Sequence, residues 1–275
     1  MDKLLFGTGG TPHSSKDKSS IGGIERIAEL GLGCMELEFV RGVHMGKETV
    51  LQVADTAKRL GIKLTAHAPY FINLYSTELE KIEGSKYHII QTARIALLCN
   101  AESVNFHTGA YGGDAPEIVY RVIKKNLQEV LNQLKKENNK ICLRPEVLGK
   151  SGQFGTLDEV FNLSSELEGV LPTIDFAHWH ARTGKYNTYE EFSKMLEQME
   201  NKLGRRAVDN MHMHISGIKY SARGELKHLD LTESDFNYRE LLKALKDHEV
   251  KGFAICESPN LEEDAQLLRD AYNSL

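Results

Sequence analysis

The sequence is short of several things that would place it quickly. Only four of its 275 residues are cysteine (Cys34, Cys99, Cys142 and Cys256), and none forms a close pair or a C-x-x-C motif. Three of them fall in apolar, strand-like runs, which speaks against disulfides and for reduced thiols in the core. No apolar run approaches the roughly 20 residues that cross a bilayer. The first residues, Met1-Asp2-Lys3-Leu4-Leu5, lack the apolar stretch of a secretory signal. A soluble, cytoplasmic protein without a membrane partner is therefore expected. No low-complexity tract, linker or shift in composition divides the chain, so residues 1–275 read as one domain. Basic charge is not in excess either. A net charge of −5 argues weakly against a nucleic-acid partner, although two or three bound dications would cancel or reverse it. Nothing calls for an obligate protein partner.

What is present is alternation. Apolar residues make up 41% of the chain, enough for a sizeable core, and the length suits one α/β barrel. Short β-rich runs are expected at 4–8, 35–39, 62–67, 103–107, 141–146, 173–176, 211–216 and 252–257. Amphipathic helices fit at 22–30, 47–60, 86–98, 116–137, 157–167, 189–203, 238–247 and 261–272. Ser85 is placed to cap the third helix, and Pro116 sits in a first turn, where its missing N–H costs nothing. Gly31, Gly61 and Gly204 follow periodic segments, as C-terminal glycines do. Eight strands alternating with eight helices predict a single (β/α)8 TIM barrel.

The polar residues then fall in a telling place. His67, His107, Glu146, Asp175, His214 and Glu257 each lie at or near the end of a predicted strand, 29 to 43 residues apart, about one βα unit each. In a barrel the strand C-termini meet on one face, where the active sites of this fold lie. Carboxylates and imidazoles crowded there would repel or go unpaired without a cation among them. Their mixture suits zinc, with manganese or iron as alternatives. His178 and His180 follow Asp175 in the next loop, His212 shares the strand face of His214, and His228 lies in the seventh loop. His180 and His212 suit supporting roles beside the ligands. Lys16, Lys18, Arg41, Lys47, Lys150, Arg182, Lys185, Lys219, Arg223 and Lys227 fall in predicted βα loops, a basic mouth on an acidic body.

The stretches Ala66-His67-Ala68-Pro69-Tyr70-Phe71-Ile72-Asn73-Leu74, Asn105-Phe106-His107-Thr108-Gly109, Arg144-Pro145-Glu146, Asp175-Phe176-Ala177-His178, His214-Ile215-Ser216-Gly217 and Cys256-Glu257-Ser258 occur in this order. Together they resemble the endonuclease IV family of apurinic/apyrimidinic (AP) DNA endonucleases, along almost the whole chain. The resemblance implies a trinuclear zinc centre and hydrolysis of the phosphodiester 5′ to an abasic site in double-stranded DNA. It implies that His67, His107 and Glu146 hold one ion, that Glu146 bridges to a second held by Asp175, His214 and Glu257, and that His178 and His228 hold a third. Glu146, Glu257 and Asp175 are then the catalytic carboxylates. Either His212 or His214 could match the family's seventh-strand ligand, with His214 preferred. The family's Asp in the third-ion pair is Leu226 here. Glu225, His180 and His212 are the candidates to replace it, and a two-ion centre is the alternative. Tyr70 and Phe71 match the pair that wedges into DNA, and Arg41 lies near a DNA-contacting arginine.

Two rival classes remain. A sugar isomerase or epimerase of the xylose-isomerase-like group would use Glu146, Asp175, His214 and Glu257 as a metal quartet. His67, His107 and His228 weigh against it, because they imply more than one ion. A metal-dependent DNA-binding protein without activity rests only on the Leu226 substitution.

Overall fold

The computed structural model describes residues 2–275. Its elements run β1 (Leu4–Gly9), α1 (Ser20–Glu29), β2 (Cys34–Glu38), α2 (Lys47–Leu60), β3 (Lys63–His67), α3 (Leu79–Leu98), β4 (Ser103–Phe106), α4 (Pro116–Lys136) and β5 (Cys142–Pro145). They continue with α5 (Leu157–Glu166), β6 (Thr173–Asp175), α6 (Phe176–Thr183), α7 (Tyr189–Leu203), α8 (Arg205–Val208) and β7 (Met211–Ile215). A hairpin of β8 (Gly217–Ser221) and β9 (Gly224–Leu229) precedes α9 (Tyr238–Asp247), β10 (Gly252–Cys256) and α10 (Glu262–Ser274).

Strands β1 to β7 and β10 form one parallel sheet in the order β5-β4-β3-β2-β1-β10-β7-β6. Parallel bridges Leu143↔Val170 and Glu146↔Thr173 join β5 to the β6 edge. With these the sheet closes on itself, which removes the open strand edges that another chain could extend. The expected TIM barrel is what the chain forms.

Local chemistry explains the helix limits. Thr156 opens α5 and Thr188 opens α7, each in a capping box with Glu159 or Glu191 three residues on. Each box satisfies two end donors and is worth about 1 kcal/mol. Pro116 begins α4 as expected, and Gly61 ends α2 in the left-handed conformation at φ +69°. Apolar side chains such as Ile24, Val53, Ile89, Ile123, Phe161, Phe192 and Leu241 pack the helices against the outside of the barrel. A smaller cluster of Cys34, Phe253 and Ile255 packs separately. All four cysteines are free thiols, Cys142 half-buried and the others buried.

Three expectations need correction. The third helix begins at Leu79, seven residues before the expected start, so Ser85 is not its cap. Ser85 lies inside α3, where its hydroxyl donates to Lys81 O and accepts from Asn73 N. The loop expected after the sixth strand is helix α6, whose N-cap is Asp175 itself. The long seventh loop folds into the antiparallel hairpin β8–β9, which carries His228. Among the described residues no helix is long and apolar enough to cross a membrane.

Candidate metal centre

Alternation along each strand decides which side chains enter the barrel. On β3 it brings Thr65 and His67 to the same side, on β4 Asn105 and then His107 just beyond, on β5 Arg144 and then Glu146, and on β7 His212 and His214. Glu146 lies at the centre. Its Oε2 is 3.4 Å from His67 Nε2 and 3.6 Å from His107 Nε2. Its Oε1 is 3.3 Å from His178 Nδ1 and 3.5 Å from His214 Nδ1. Asn105 Nδ2 donates to Oε2 at 2.7 Å, which fixes the plane of the carboxylate.

The other predicted residues gather around it. Asp175 accepts from His178 N at 2.6 Å, and its second oxygen is 3.1 Å from His178 Nδ1. His214 Nδ1 is 3.4 Å from Glu257 Oε1, and His178 Nε2 is 3.2 Å from His228 Nε2. His67, His107 and Glu146 can bring their ligand atoms within 4.8 Å of one another, as can Glu146, Asp175 and His214, and Asp175, His178 and His228. His67 Nε2, His214 Nδ1 and Asp175 Oδ2 are buried without a hydrogen-bond partner among the described residues. Buried lone pairs left orphaned and converging on one space are a poor fit to a dry core and a good fit to cations.

His214, not His212, is the member of its strand that faces the cluster. His212 lies against Glu36, its Nε2 3.1 Å from Oε2, and its Nδ1 is 3.4 Å from Ser103 Oγ. His180 is placed elsewhere, with Nδ1 2.9 Å from Lys185 O and Nε2 3.4 Å from Asp235 Oδ1. Glu225 does reach the cluster, its Oε2 3.5 Å from His178 Nε2. Leu226 is 56% exposed. At the rim the Tyr70 ring lies 4.6 Å from that of His67, and Phe71 is 57% exposed, its ring edge-on to that of His88. Arg41 is exposed in the turn after β2.

Sequence reasoning passed over two carboxylates. Glu36, wholly buried on β2, has Oε1 2.8 Å from His214 Nε2 and accepts from Thr65 Oγ1 at 2.9 Å. It thereby turns the Nδ1 of His214 toward Glu146, the kind of outer support that orients a ligand. Glu38 accepts from Tyr70 OH at 3.0 Å, while its buried Oε1 has no partner among the described residues. The signal for both was Cys34-Met35-Glu36-Leu37-Glu38, where two acids on alternate residues share one face of an apolar strand.

Burial and charge pull against each other here. Burial disfavours the charge of Glu146, but the imidazoles of His214 and His107 outweigh it and hold the carboxyl well below its usual range. Glu36 is held low in the same way by His212 and His214. For Asp175 burial prevails over His178 and raises the pKa to about 6, and burial likewise lifts Glu38 to about 7. Burial opposes a charge on His67, yet the neighbouring carboxylates of Glu146 and Glu38 raise it to about 9. His107 is pushed down to about 3 by burial. Acids and imidazoles that shift each other in this way are common at functional sites.

The match to the family described as xylose isomerase-like TIM barrel runs over residues 24–275. The chain belongs to that family. An uncharacterized protein of Methanocaldococcus jannaschii is 46% identical to it over 273 residues, 99% of this chain and 98% of the relative. A probable endonuclease 4 of Aquifex aeolicus is 25% identical over 230 residues, 80% of this chain and 79% of the relative. Among solved structures, endonuclease IV from Thermus thermophilus is similar with a TM-score of 0.77 and 19% identity, covering 98% of this chain and 100% of its own. A D-tagatose 3-epimerase-like protein follows at 0.74 and 18%, covering 98% and 97%. Likeness at that identity extends to the fold alone, since one barrel hosts unrelated chemistries. Endonuclease-like and epimerase-like neighbours thus share the fold, and the site has to distinguish them.

Proposed function

We propose that this protein is a metal-dependent AP endodeoxyribonuclease of DNA base excision repair. It would hydrolyse the phosphodiester 5′ to an abasic site, leaving a 3′-hydroxyl and a 5′-deoxyribose phosphate. The observation that carries this reading is the two-sided environment of Glu146. One oxygen faces His67 and His107, and the other faces His178 and His214. A carboxylate so placed suits a bridge between two ions, and a single-ion sugar isomerase has no use for the first pair. The sequence likeness to a probable endonuclease 4 adds support.

In this reading His67, His107 and Glu146 hold one dication, and Glu146, Asp175, His214 and Glu257 hold a second. His178 and His228 hold a third. Bound there, zinc would supply Lewis acidity, making a nucleophile from water at neutral pH and neutralising phosphate charge. The chain's own part is to hold these donors still. Asn105 fixes Glu146, and Glu36 fixes His214. Exposed Lys150, Lys219, Arg223 and Lys227, on the hairpin and the loop it meets, offer a basic ridge for the phosphate backbone. Phe71 and Tyr70 at the rim are suited to wedge beside the lesion, and an abasic nucleotide has no base stacking to lose when it turns out of the helix.

A second reading, a sugar isomerase or epimerase, draws on the Glu146, Asp175, His214 trio and on Glu38, a buried acceptor free to take a sugar hydroxyl. One experiment separates them. The protein is incubated with a duplex bearing a tetrahydrofuran abasic analogue, and with ketohexoses. A nick 5′ to the lesion, lost on adding a chelator, is the expected outcome. Ketose turnover without nicking would sink the nuclease reading.

A further inference from the structure

His228 reaches the cluster from β9, and on a regular strand the residue sharing its face would be Leu226, two positions earlier. Glu225, three positions away, would then point to the opposite side. The hairpin is not regular. Lys219 pairs with Lys227 and Tyr220 pairs with Glu225, so Leu226 is an extra residue in β9. Such a bulge places two residues of one strand opposite one of its partner and re-aims the side chains before it. The result is visible in the contacts. Glu225 Oε2 and His228 Nε2 lie 3.5 and 3.2 Å from the same His178 Nε2, while Leu226 is turned out and 56% exposed.

A close docking holds this arrangement in place. Glu225 N donates to Gly149 O at 3.1 Å, and Lys150 bridges Gly224. Gly224 sits at φ +96°, and a Cβ there would overlap Gly149 O. A Cβ on Gly149 would lie 2.7 Å from Glu225 Cβ and 3.1 Å from His178 Cδ2. Both segments must lack a side chain at the crossing for Glu225 to enter.

From this we infer that Glu225 is a ligand of the ion held by His178 and His228, carried there by the bulge at Leu226. One carboxylate and two imidazoles make a three-donor set of the kind zinc takes with a fourth position left open. The inference rests on the metal-centre reading above and names a ligand for its outermost ion.

The test is zinc stoichiometry and affinity, measured by elemental analysis and by competition with a chromophoric chelator. The proteins compared are the unmodified chain, Glu225→Ala, Leu226→Ala and Gly149→Ala. Glu225→Ala should lose one ion per chain, or bind its weakest ion at least about 10-fold less tightly. Gly149→Ala, which keeps every donor but crowds Glu225, should weaken that same ion, and Leu226→Ala should match the unmodified chain. Cobalt substitution gives an independent readout, because loss of a ligand changes the visible absorption of the bound ion. If Glu225→Ala folds and binds as the unmodified chain does, the assignment of Glu225 is overturned while the rest of the centre stands. If the unmodified chain binds no ion, the centre and this ligand fall together.

Discussion

The floor and the rim of the barrel mouth are built differently. The floor is made of strand residues whose backbones are fixed by the sheet and whose side chains are wholly buried. His67, Glu146, His214 and Glu36 belong to it, at 1% exposure or less. The rim comes from helix α6, the β8–β9 hairpin and the turns beside Tyr70 and Arg41. Its members range from the buried His178 through the half-buried His228 to Phe71, which is mostly in solvent. The difference teaches that side chains on the floor are placed by the fold itself, so disturbing them disturbs the fold. Residues on the rim are placed by local devices, the cap by which Asp175 starts α6 and the bulge at Leu226.

Substitutions can break this comparison, beginning with the largest effect. Glu146→Gln should abolish ion binding on both sides of the carboxylate and lower nicking of an abasic duplex by about 100- to 1,000-fold. Full nicking at normal zinc content would refute the bridging role. Glu36→Ala should destabilise the metal-free protein by about 3 kcal/mol, because two imidazoles and a hydroxyl lose their shared buried partner. Urea unfolding monitored by circular dichroism measures it, and an unchanged midpoint would mean the floor is not held as described.

On the rim the effects should be confined to binding. Phe71→Ala should weaken binding to an abasic duplex by about 10-fold while leaving unfolding unchanged. Equal loss on an intact duplex would discard a wedge at the lesion. Tyr70→Phe is the mildest test. It removes only the hydroxyl that Glu38 accepts, worth about 1 kcal/mol or less at this partly exposed position. A severalfold change in affinity is expected, and a collapse in stability would move Tyr70 from the rim to the floor.

The same division governs how much could be read in advance. The floor residues at strand ends were legible, because a buried parallel strand followed by an amphipathic helix leaves a recognisable pattern and the topology sends every strand end to one face. Glu36 and Glu38 were legible in principle from their alternation on β2 and were overlooked, although Glu38 ends that strand level with His67. Ser85 was misread because a serine before an apolar run looks the same whether it caps a helix or lies well inside it, and only the Asn73 and Lys81 partners decide. Asp175 was read as a candidate ligand and catalytic carboxylate near a strand end. Its second role, capping α6, depends on a helix too short to announce itself.

The amino-acid order by itself determined the closed barrel and which acids and imidazoles its strand ends bring to one face, because periodicity of side chains along regular elements is a local property. Tertiary structure alone decided which histidine of β7 faces the cluster and that Glu225 rather than Leu226 turns inward. These outcomes depend on strand pairing and on the close passage of Gly149 and Gly224, contacts between segments about 75 residues apart that no local pattern contains.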